Sequence, residues 1–173
     1  MLPAAWLRGE EGDLPLTNPG FEEELEGWTV TGAKDPENVR VTAEAALGGS
    51  KGLQVKDTDA CSSYRITSSP VAVVADAVYQ ITFQGTSNGG GEGIGVSMSF
   101  RDANNVEIPP VNVPKAWPAC QIKDKDRFSI RAKAPPGATS LRIVITSFST
   151  PGGEAILDDF AVSQLDSGEE PLP

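Results

Sequence analysis

The sequence predicts an all-β protein built as a two-layer antiparallel β-sandwich of about eight to ten short strands. Three observations support this fold class. Turn-forming residues recur at short intervals, at residues 18–20, 26–27, 48–49, 89–91, 104–105, 135–137 and 151–153. The segments between these turns alternate apolar and polar residues. No segment sustains the apolar spacing of an amphipathic helix.

Four segments show the alternation most clearly, and each predicts a strand with one buried and one polar face. In residues 78–84 and 96–101 the apolar positions are Tyr79, Ile81, Phe83, Val96, Met98 and Phe100. In residues 127–132 and 140–146 they are Phe128, Ile130, Leu141, Ile143 and Ile145. Residues 21–28 form a helical turn at most, because their apolar positions do not continue with helical spacing.

The size and charge of the chain exclude several function classes. A length of 173 residues fits one domain with short tails. The net charge of −10 disfavours binding to nucleic acid or to an anionic membrane surface. The chain has no histidine, which removes the commonest general base and metal ligand. We therefore expect a protein that is not an enzyme.

Both ends of the chain are rich in proline and acidic residues. We expect residues 1–15 to form an N-terminal arm, residues 16–165 the sandwich and residues 166–173 an acidic tail. Apolar runs such as residues 71–74 are far shorter than the roughly 20 residues of a membrane span, so we expect no membrane insertion. The first six residues have no basic region or continuous apolar stretch, so they do not form a signal peptide.

A series of short motifs resembles bacterial carbohydrate-binding modules with a galactose-binding-like jelly roll. They occur in the order expected for that group and span residues 16–163. The motifs are LTNPGFE at 16–22, GW at 27–28, GSKGLQV at 49–55, a Tyr-x-x-x-Phe strand ending residues 71–83, SMSFRD at 97–102 with Asn105 after it, residues 128–136, and ILDDFAV at 156–162. Asp76 departs from the group, which often has glycine in that turn.

The resemblance implies a jelly-roll sandwich that binds a ligand, with one structural calcium ion where the two ends of the domain meet. The implied ligands are the Gly20 carbonyl, the Glu22 carboxylate, a carboxylate of Asp158 or Asp159, and carbonyls near Ser50 and Lys51. Hard oxygen ligands of this kind suit Ca²⁺. Because neighbouring strand residues face opposite ways, only one of the two aspartates is expected to point inward, and we favour Asp158. The alternative is that Glu22 is solvated and an aspartate simply ends a strand.

Sugar binding combines an aromatic ring with groups that hydrogen-bond hydroxyls. The best ring candidates are Tyr64 and Trp117, although both could instead cap the core. Trp28 and Tyr79 are expected in the core. The polar residues expected to line one sheet face are Gln80, Thr82, Gln84, Ser97, Ser99, Arg101, Arg127 and Arg131.

Cys61 and Cys120 are the only cysteines, and they could form one disulfide or remain two buried thiols. A bridge would bring Tyr64 and Trp117 together.

We therefore expect a non-catalytic module that attaches a larger assembly to carbohydrate, outside the cell or on a particle surface. The alternative is a structural subunit of a virion or filament, held to a protein partner or to further copies of itself through its terminal arms.

Overall fold

The computed structural model describes residues 13–58, 63–88, 93–109, 120–121, 126–148 and 153–165. Strands dominate these residues, as the alternating pattern predicts. In chain order they are β1 Asp13–Leu14, β2 Trp28–Thr31, β3 Val39–Thr42, β4 Gly52–Asp57, β5 Arg65–Ser68, β6 Val71–Ala72, β7 Val78–Asn88, β8 Ile94–Arg101, β9 Glu107–Ile108, β10 Cys120–Gln121, β11 Asp126–Lys133, β12 Ser140–Ser147 and β13 Gly153–Leu165. Short 3₁₀ turns span Pro36–Asn38 and Ala43–Ala45.

The strands form two antiparallel sheets, which confirms the predicted β-sandwich. Sheet A has the order β11-β7-β13-β4-β3, and β1 pairs with β13. Sheet B has the order β10-β8-β12-β5-β2, with β6 on β12 and β9 on β8. Among the described residues there are thirteen strands rather than eight to ten, because β1, β6, β9 and β10 add two-residue pairings at sheet edges. Nine strands have four or more residues.

The core lies between the sheets and is filled by the apolar positions of the alternating segments. Tyr79, Ile81 and Phe83 of β7 are fully buried, as are Leu141 and Ile143 of β12. Burying this apolar surface is the main favourable contribution to folding. The inward positions of β7, β8, β11 and β12 are therefore those that the alternation predicts.

Strand β1 lies at the end of the predicted N-terminal arm, where Asp13 and Leu14 pair with Ser163 and Val162 of sheet A. One expectation about the sheets is wrong. Strands β7 and β8 lie in different sheets, although their polar residues were expected on one face. Alternation shows which side of a strand is buried. It does not show which strand lies beside it.

Trp28 packs in the core with Phe21 and Phe160, as predicted for this tryptophan. The ring centroids of Trp28 lie 4.9 Å from Phe21 and 5.3 Å from Phe160. The Trp28 indole N–H donates to the Asn18 carbonyl at 3.1 Å. This aromatic cluster fixes the loop of residues 18–28 against β13, and so places the neighbouring Gly20 and Glu22.

Asp76 adopts a left-handed backbone, φ +69°, in the turn where the resembling group often has glycine. Aspartate is one of the few non-glycine residues that tolerate this conformation. Among the described residues, no helix is long and apolar enough to cross a membrane.

Candidate functional site

The outer face of sheet A carries three of the predicted ligand-binding residues. Gln80 and Gln84 of β7 lie opposite Arg131 and Arg127 of β11 in the strand register. The Arg131 Nε–H donates to Gln80 Oε1 at 2.6 Å, and the Gln84 amide donates to Asp159 Oδ2 at 2.6 Å. These side chains share a face as predicted, but Gln80 and Gln84 are engaged with other side chains of the protein.

Arg101 does not share that face, which corrects the expected binding surface. It lies on β8 with Ser97 and Ser99, and β8 pairs with β12 and β10 in sheet B. Because the apolar side of β8 points into the core, these three residues lie on the outer face of sheet B. The predicted polar set is therefore divided between the two outer surfaces of the sandwich.

Three arginines meet on the outer face of sheet B, and we call Arg65, Arg101 and Arg142 the arginine cluster. A guanidinium nitrogen of Arg101 lies 3.7 Å from a Glu107 carboxylate oxygen, and one of Arg65 lies 3.9 Å from the same oxygen. Arg142 donates to the Ser68 carbonyl at 3.0 Å. Strands β5 and β9 are three strand spacings apart, about 14 Å, so Arg65 and Glu107 reach across the face of β12 and β8.

Several polar atoms of this face have no hydrogen-bond partner. Ser99 is 2% exposed, and its hydroxyl is unpaired although the side chain faces away from the core. The Nε–H groups of Arg101 and Arg142 are also buried and unpaired. Ser99 lies directly opposite Arg142 in the β8–β12 register. Buried polar groups are normally paired in folded proteins, so these three unpaired donors are an unusual feature of this face.

Phe148 supplies an exposed aromatic ring beside this face, and the sequence analysis did not select it. It is 50% exposed, and its backbone N–H donates to the Gly93 carbonyl at 2.7 Å, which extends the β12–β8 ladder by one residue. Continuing the alternation of β12 places Phe148 on the side of Arg142, Val144 and Thr146. The signal was present in the sequence, since Phe148 is the next outward position after Thr146.

Tyr64 is not an exposed binding platform, which corrects its selection as a ligand residue. The ring is 5% exposed, and its hydroxyl donates to the Lys56 carbonyl. Burial raises the pKa of the Tyr64 hydroxyl, and the nearby Asp57 charge raises it further. The structure therefore favours the alternative in which this ring belongs to the core.

The structure describes only part of the region that was expected to lie near Tyr64. Trp117 and Cys61 lie outside the described residues, so the structure does not test the tryptophan platform. Cys120 lies in β10, where its backbone pairs with Val96 of β8. The Cys61–Cys120 disulfide stays a prediction.

The predicted metal ligands Glu22 and Ser50 lie together. Glu22 Oε1 accepts the backbone N–H groups of Ser50 and Lys51 at 2.8 and 3.2 Å, and Oε2 accepts the Ser50 hydroxyl. These bonds lower the pKa of Glu22, with the Ser50 hydroxyl contributing most. A Cβ on Gly49 would clash with Glu22 Oε1, and Gly49 has φ +58°. Glu22 thus fastens the loop of residues 47–51, and the left-handed backbone favours glycine at position 49.

The other predicted ligands meet at an irregularity in β13. The pairing of β13 with β7 shifts register between Asp158 and Ala161, and Asp159 has φ +49°. An Oδ1 of each aspartate lies 3.6 Å from the position that a Cβ would take on Gly20. Asp158 is fully buried, and it lies opposite Gln84 in the β13–β7 register. Strict alternation would have turned Asp159 away, but the bulge brings both carboxylates beside Gly20.

The Asp158 carboxylate is stabilised by backbone donors. Oδ2 accepts the N–H groups of Leu47 and Gly48, each at 2.8 Å. Burial still raises the pKa of Asp158, and these two bonds lower it in part. The donor set of Gly20, Glu22, Asp158 and Asp159 has the hard oxygen chemistry that calcium requires. Among the described residues, however, no three of the His, Cys, Asp and Glu side chains are grouped to hold a metal by themselves. Backbone carbonyls would have to complete the ligand shell.

A separate cleft of about 320 Å³ lies beside β2 and is lined by Leu25, Val30, Gly32, Ala33, Pro36 and Val39. None of these side chains forms a hydrogen bond, so the cleft does not suit a hydroxyl-rich sugar. The outer face of sheet B combines an exposed aromatic ring with a cluster of arginines and is the stronger candidate.

Comparisons with solved structures show the same fold. A family 61 carbohydrate-binding module in complex with β-1,4-galactotriose superposes with a TM-score of 0.61 and 20% identity, over 88% of this chain and 99% of that one. The xylan-binding CBM22-1 domain of Paenibacillus barcinonensis Xyn10C has a TM-score of 0.57 and 23% identity, over 86% of this chain and 92% of that one.

A third similar structure is the enzymatically active domain of tailspike protein 4 from bacteriophage CBA120. Its TM-score is 0.65 and its identity 18%, over 88% of this chain. The match covers 21% of the tailspike chain. No protein-family model matches the sequence, and a search of curated proteins finds no match. The jelly-roll β-sandwich of carbohydrate-binding modules, which the sequence motifs imply, is therefore confirmed as the fold.

Proposed function

We propose that this protein is a non-catalytic carbohydrate-binding module that attaches a larger assembly to a glycan. The glycan lies on the outer face of sheet B. One observation carries the proposal: Phe148 is an exposed aromatic ring at the end of β12, on the side of the sheet where alternation also places Arg142 of the arginine cluster. A ring that covers the apolar side of a sugar, together with donors that reach its oxygens, is the combination that sugar recognition uses.

The dimensions of the face suit an extended chain. Phe148 and Arg142 are six residues apart along β12, which corresponds to about 20 Å in a strand. Val144 lies between them and is 3% exposed, although it faces away from the core. The outer face of sheet B therefore has an aromatic end and a cationic end, and the residue between them is covered by its neighbours. This arrangement suits an oligosaccharide of several units more than a single sugar.

Affinity electrophoresis of the full chain through gels that contain single polysaccharides tests the proposal. We expect at least one polysaccharide to retard the protein relative to a gel without polysaccharide, and soluble oligosaccharide to reverse the effect. Circular dichroism confirms folding of the same sample. No retardation of folded protein by a broad panel of neutral and acidic polysaccharides would contradict the proposal.

A structural role in a virion or filament is the second candidate, and the likeness to part of a phage tailspike favours it. Deletion of residues 1–12 and 166–173 separates the two roles, because it spares the pairing of Asp13 and Leu14 with β13. Glycan binding should survive the deletion under the first proposal. Under the second, assembly with the partner or with further copies should be lost.

We also propose that a calcium ion binds where the two ends of the sandwich meet. Gly20, Asp158 and Asp159 would hold it, with Glu22 and Ser50 at its side. The convergence of both aspartates on Gly20 supports this assignment, because it gathers negative charge at a site with a fully buried carboxylate. The ion would supply the positive charge that balances these groups.

A further inference from the structure

We infer that the glycan bound on sheet B carries an acidic substituent, a uronate carboxylate or a sulfate ester, which Arg101 and Arg142 hold beside Ser99. This inference rests on the proposed glycan-binding function and adds the chemical class of the ligand. The common feature of the two substituents is an anionic group with several oxygens, which guanidinium groups bind through paired hydrogen bonds.

The charge of the arginine cluster is the first argument. The guanidinium groups of Arg65 and Arg101 share the single carboxylate of Glu107, and Arg142 donates instead to the Ser68 carbonyl. The cluster therefore has an excess of positive charge at one place on a protein of net charge −10. Asp102 follows Arg101 in the chain but turns into the β8–β9 connection, where Oδ1 accepts the N–H groups of Asn104 and Val106. In the part of the chain that the structure describes, Glu107 is the acidic partner of the cluster.

The unpaired donors are the second argument. The Nε–H of Arg101, the Nε–H of Arg142 and the Ser99 hydroxyl are all buried without an acceptor. Ser99 faces Arg142 across the β8–β12 pair, and Arg101 lies two residues from Ser99 on the same side of β8. Leaving a buried donor unpaired is unfavourable, and the penalty is larger for a charged group. An anionic oxygen bound among the arginines would pair with these donors once the side chains that cover them move aside, and the new hydrogen bonds would favour that movement.

The mutual repulsion of the arginines is the third argument. Burial lowers the pKa of Arg142, and the charge of Arg101 lowers it further. Arginine nevertheless stays protonated in proteins, so the two charges remain side by side. A neutral sugar hydroxyl would accept a hydrogen bond here, but it would leave that repulsion in place. An anion between the two guanidinium groups relieves it, which makes the acidic sugar the better ligand.

The overall charge of the protein restricts the class of anion. A net charge of −10 gives no long-range attraction for any polyanion, so binding must come from short-range contacts at the cluster. The Phe148 ring, about 20 Å along β12, would add an apolar contact that an isolated ion does not use. A sugar chain of several units with an acidic group would contact both the cluster and the ring, and an acidic peptide serves as the competing case in the test.

The experiment uses the full chain and matched pairs of polysaccharides in affinity electrophoresis. One pair is polygalacturonate and its carboxyl-reduced form; another is glucuronoxylan and its carboxyl-reduced form; a third is a sulfated galactan and its desulfated form. We expect the acidic member of at least one pair to bind about tenfold or more tightly than its neutral counterpart. Retention by carboxylated or by sulfated glycan identifies which substituent is bound.

The variants are Arg142→Gln, Ser99→Ala and Lys133→Gln. Arg142→Gln should reduce the preference for the acidic member at least about tenfold. Ser99→Ala removes a hydroxyl that has no partner within the protein, so it should weaken acidic binding while leaving the fold intact. Lys133→Gln makes the same charge change on sheet A, where Lys133 pairs with Asp76 at 3.2 Å, and should leave binding unchanged.

The outcomes distinguish the inference from the function on which it rests. Equal binding of acidic and neutral members would overturn the inference and leave glycan binding standing. Failure to bind any polysaccharide would refute both. An equal loss in Lys133→Gln and Arg142→Gln would assign the effect to net charge and overturn the inference. Displacement of the glycan by poly-glutamate at equal charge concentration would do the same, since the cluster would then not select sugars.

Discussion

Replacing Phe148 with alanine separates a binding role of this ring from a structural one. Phe148 is 50% exposed, so folding removes only about half of its side chain from water. Its replacement by alanine should therefore lower the free energy of unfolding by about 1 kcal/mol. A fully buried ring such as Phe83 should cost about 3–5 kcal/mol on the same change. Phe148→Ala should therefore leave the protein folded, whereas Phe83→Ala should strongly destabilise it.

The effect on binding should exceed the effect on stability. Stacking of nucleic-acid bases on aromatic side chains, a comparable case, contributes about 1–3 kcal/mol per ring. This corresponds to about five- to 150-fold in affinity. Urea denaturation measures the stability change, and isothermal titration with the glycan found in the electrophoresis screen measures affinity. Unchanged affinity in Phe148→Ala, at normal stability, would refute the placement of the glycan along β12. A stability loss close to that of Phe83→Ala would refute the description of the ring as exposed.

Three other predictions use separate measurements. Removing calcium with a chelator should lower the melting temperature, and adding calcium should restore it, because a ligand that binds only the folded state stabilises that state. A constant melting temperature would contradict the ion site at Gly20 and Asp158. If Cys61 and Cys120 are bridged, the intact mass should rise by about 2 Da on reduction, and equal masses would show free thiols. Tyr64→Phe removes the hydrogen bond to the Lys56 carbonyl and should lower the free energy of unfolding by about 1 kcal/mol without changing glycan affinity. A loss of affinity without a loss of stability would show that Tyr64 belongs to the binding site.

The buried faces of the strands were predictable because they follow from local geometry. Alternation of side chains is a property of a single strand, so Tyr79, Ile81 and Phe83 were placed in the core without knowledge of their neighbours. Trp28 was also placed there correctly. The resemblance of the motifs to carbohydrate-binding modules led to the same jelly-roll fold.

The composition of the binding surface was less predictable. Gln80 and Arg101 have the same polar-outward pattern, but they lie on opposite sides of the sandwich because β7 and β8 pair with different strands. Phe148 follows the last residue of β12, and its exposure depends on what packs around that end. Tyr64 was selected as a candidate ring, yet the fold places it among the buried core residues.

The sequence by itself determined the fold class, the inward and outward residues of the long strands, and the acidic surface that disfavours nucleic acid. Each of these depends on local periodicity or on composition. Only the tertiary structure decided that the bulge at Asp158 and Asp159 brings both carboxylates to Gly20. It also decided that Arg65, Arg101 and Arg142 meet on one face. These groupings depend on strand order and register across 78 residues of chain from Arg65 to Arg142, which no local pattern encodes.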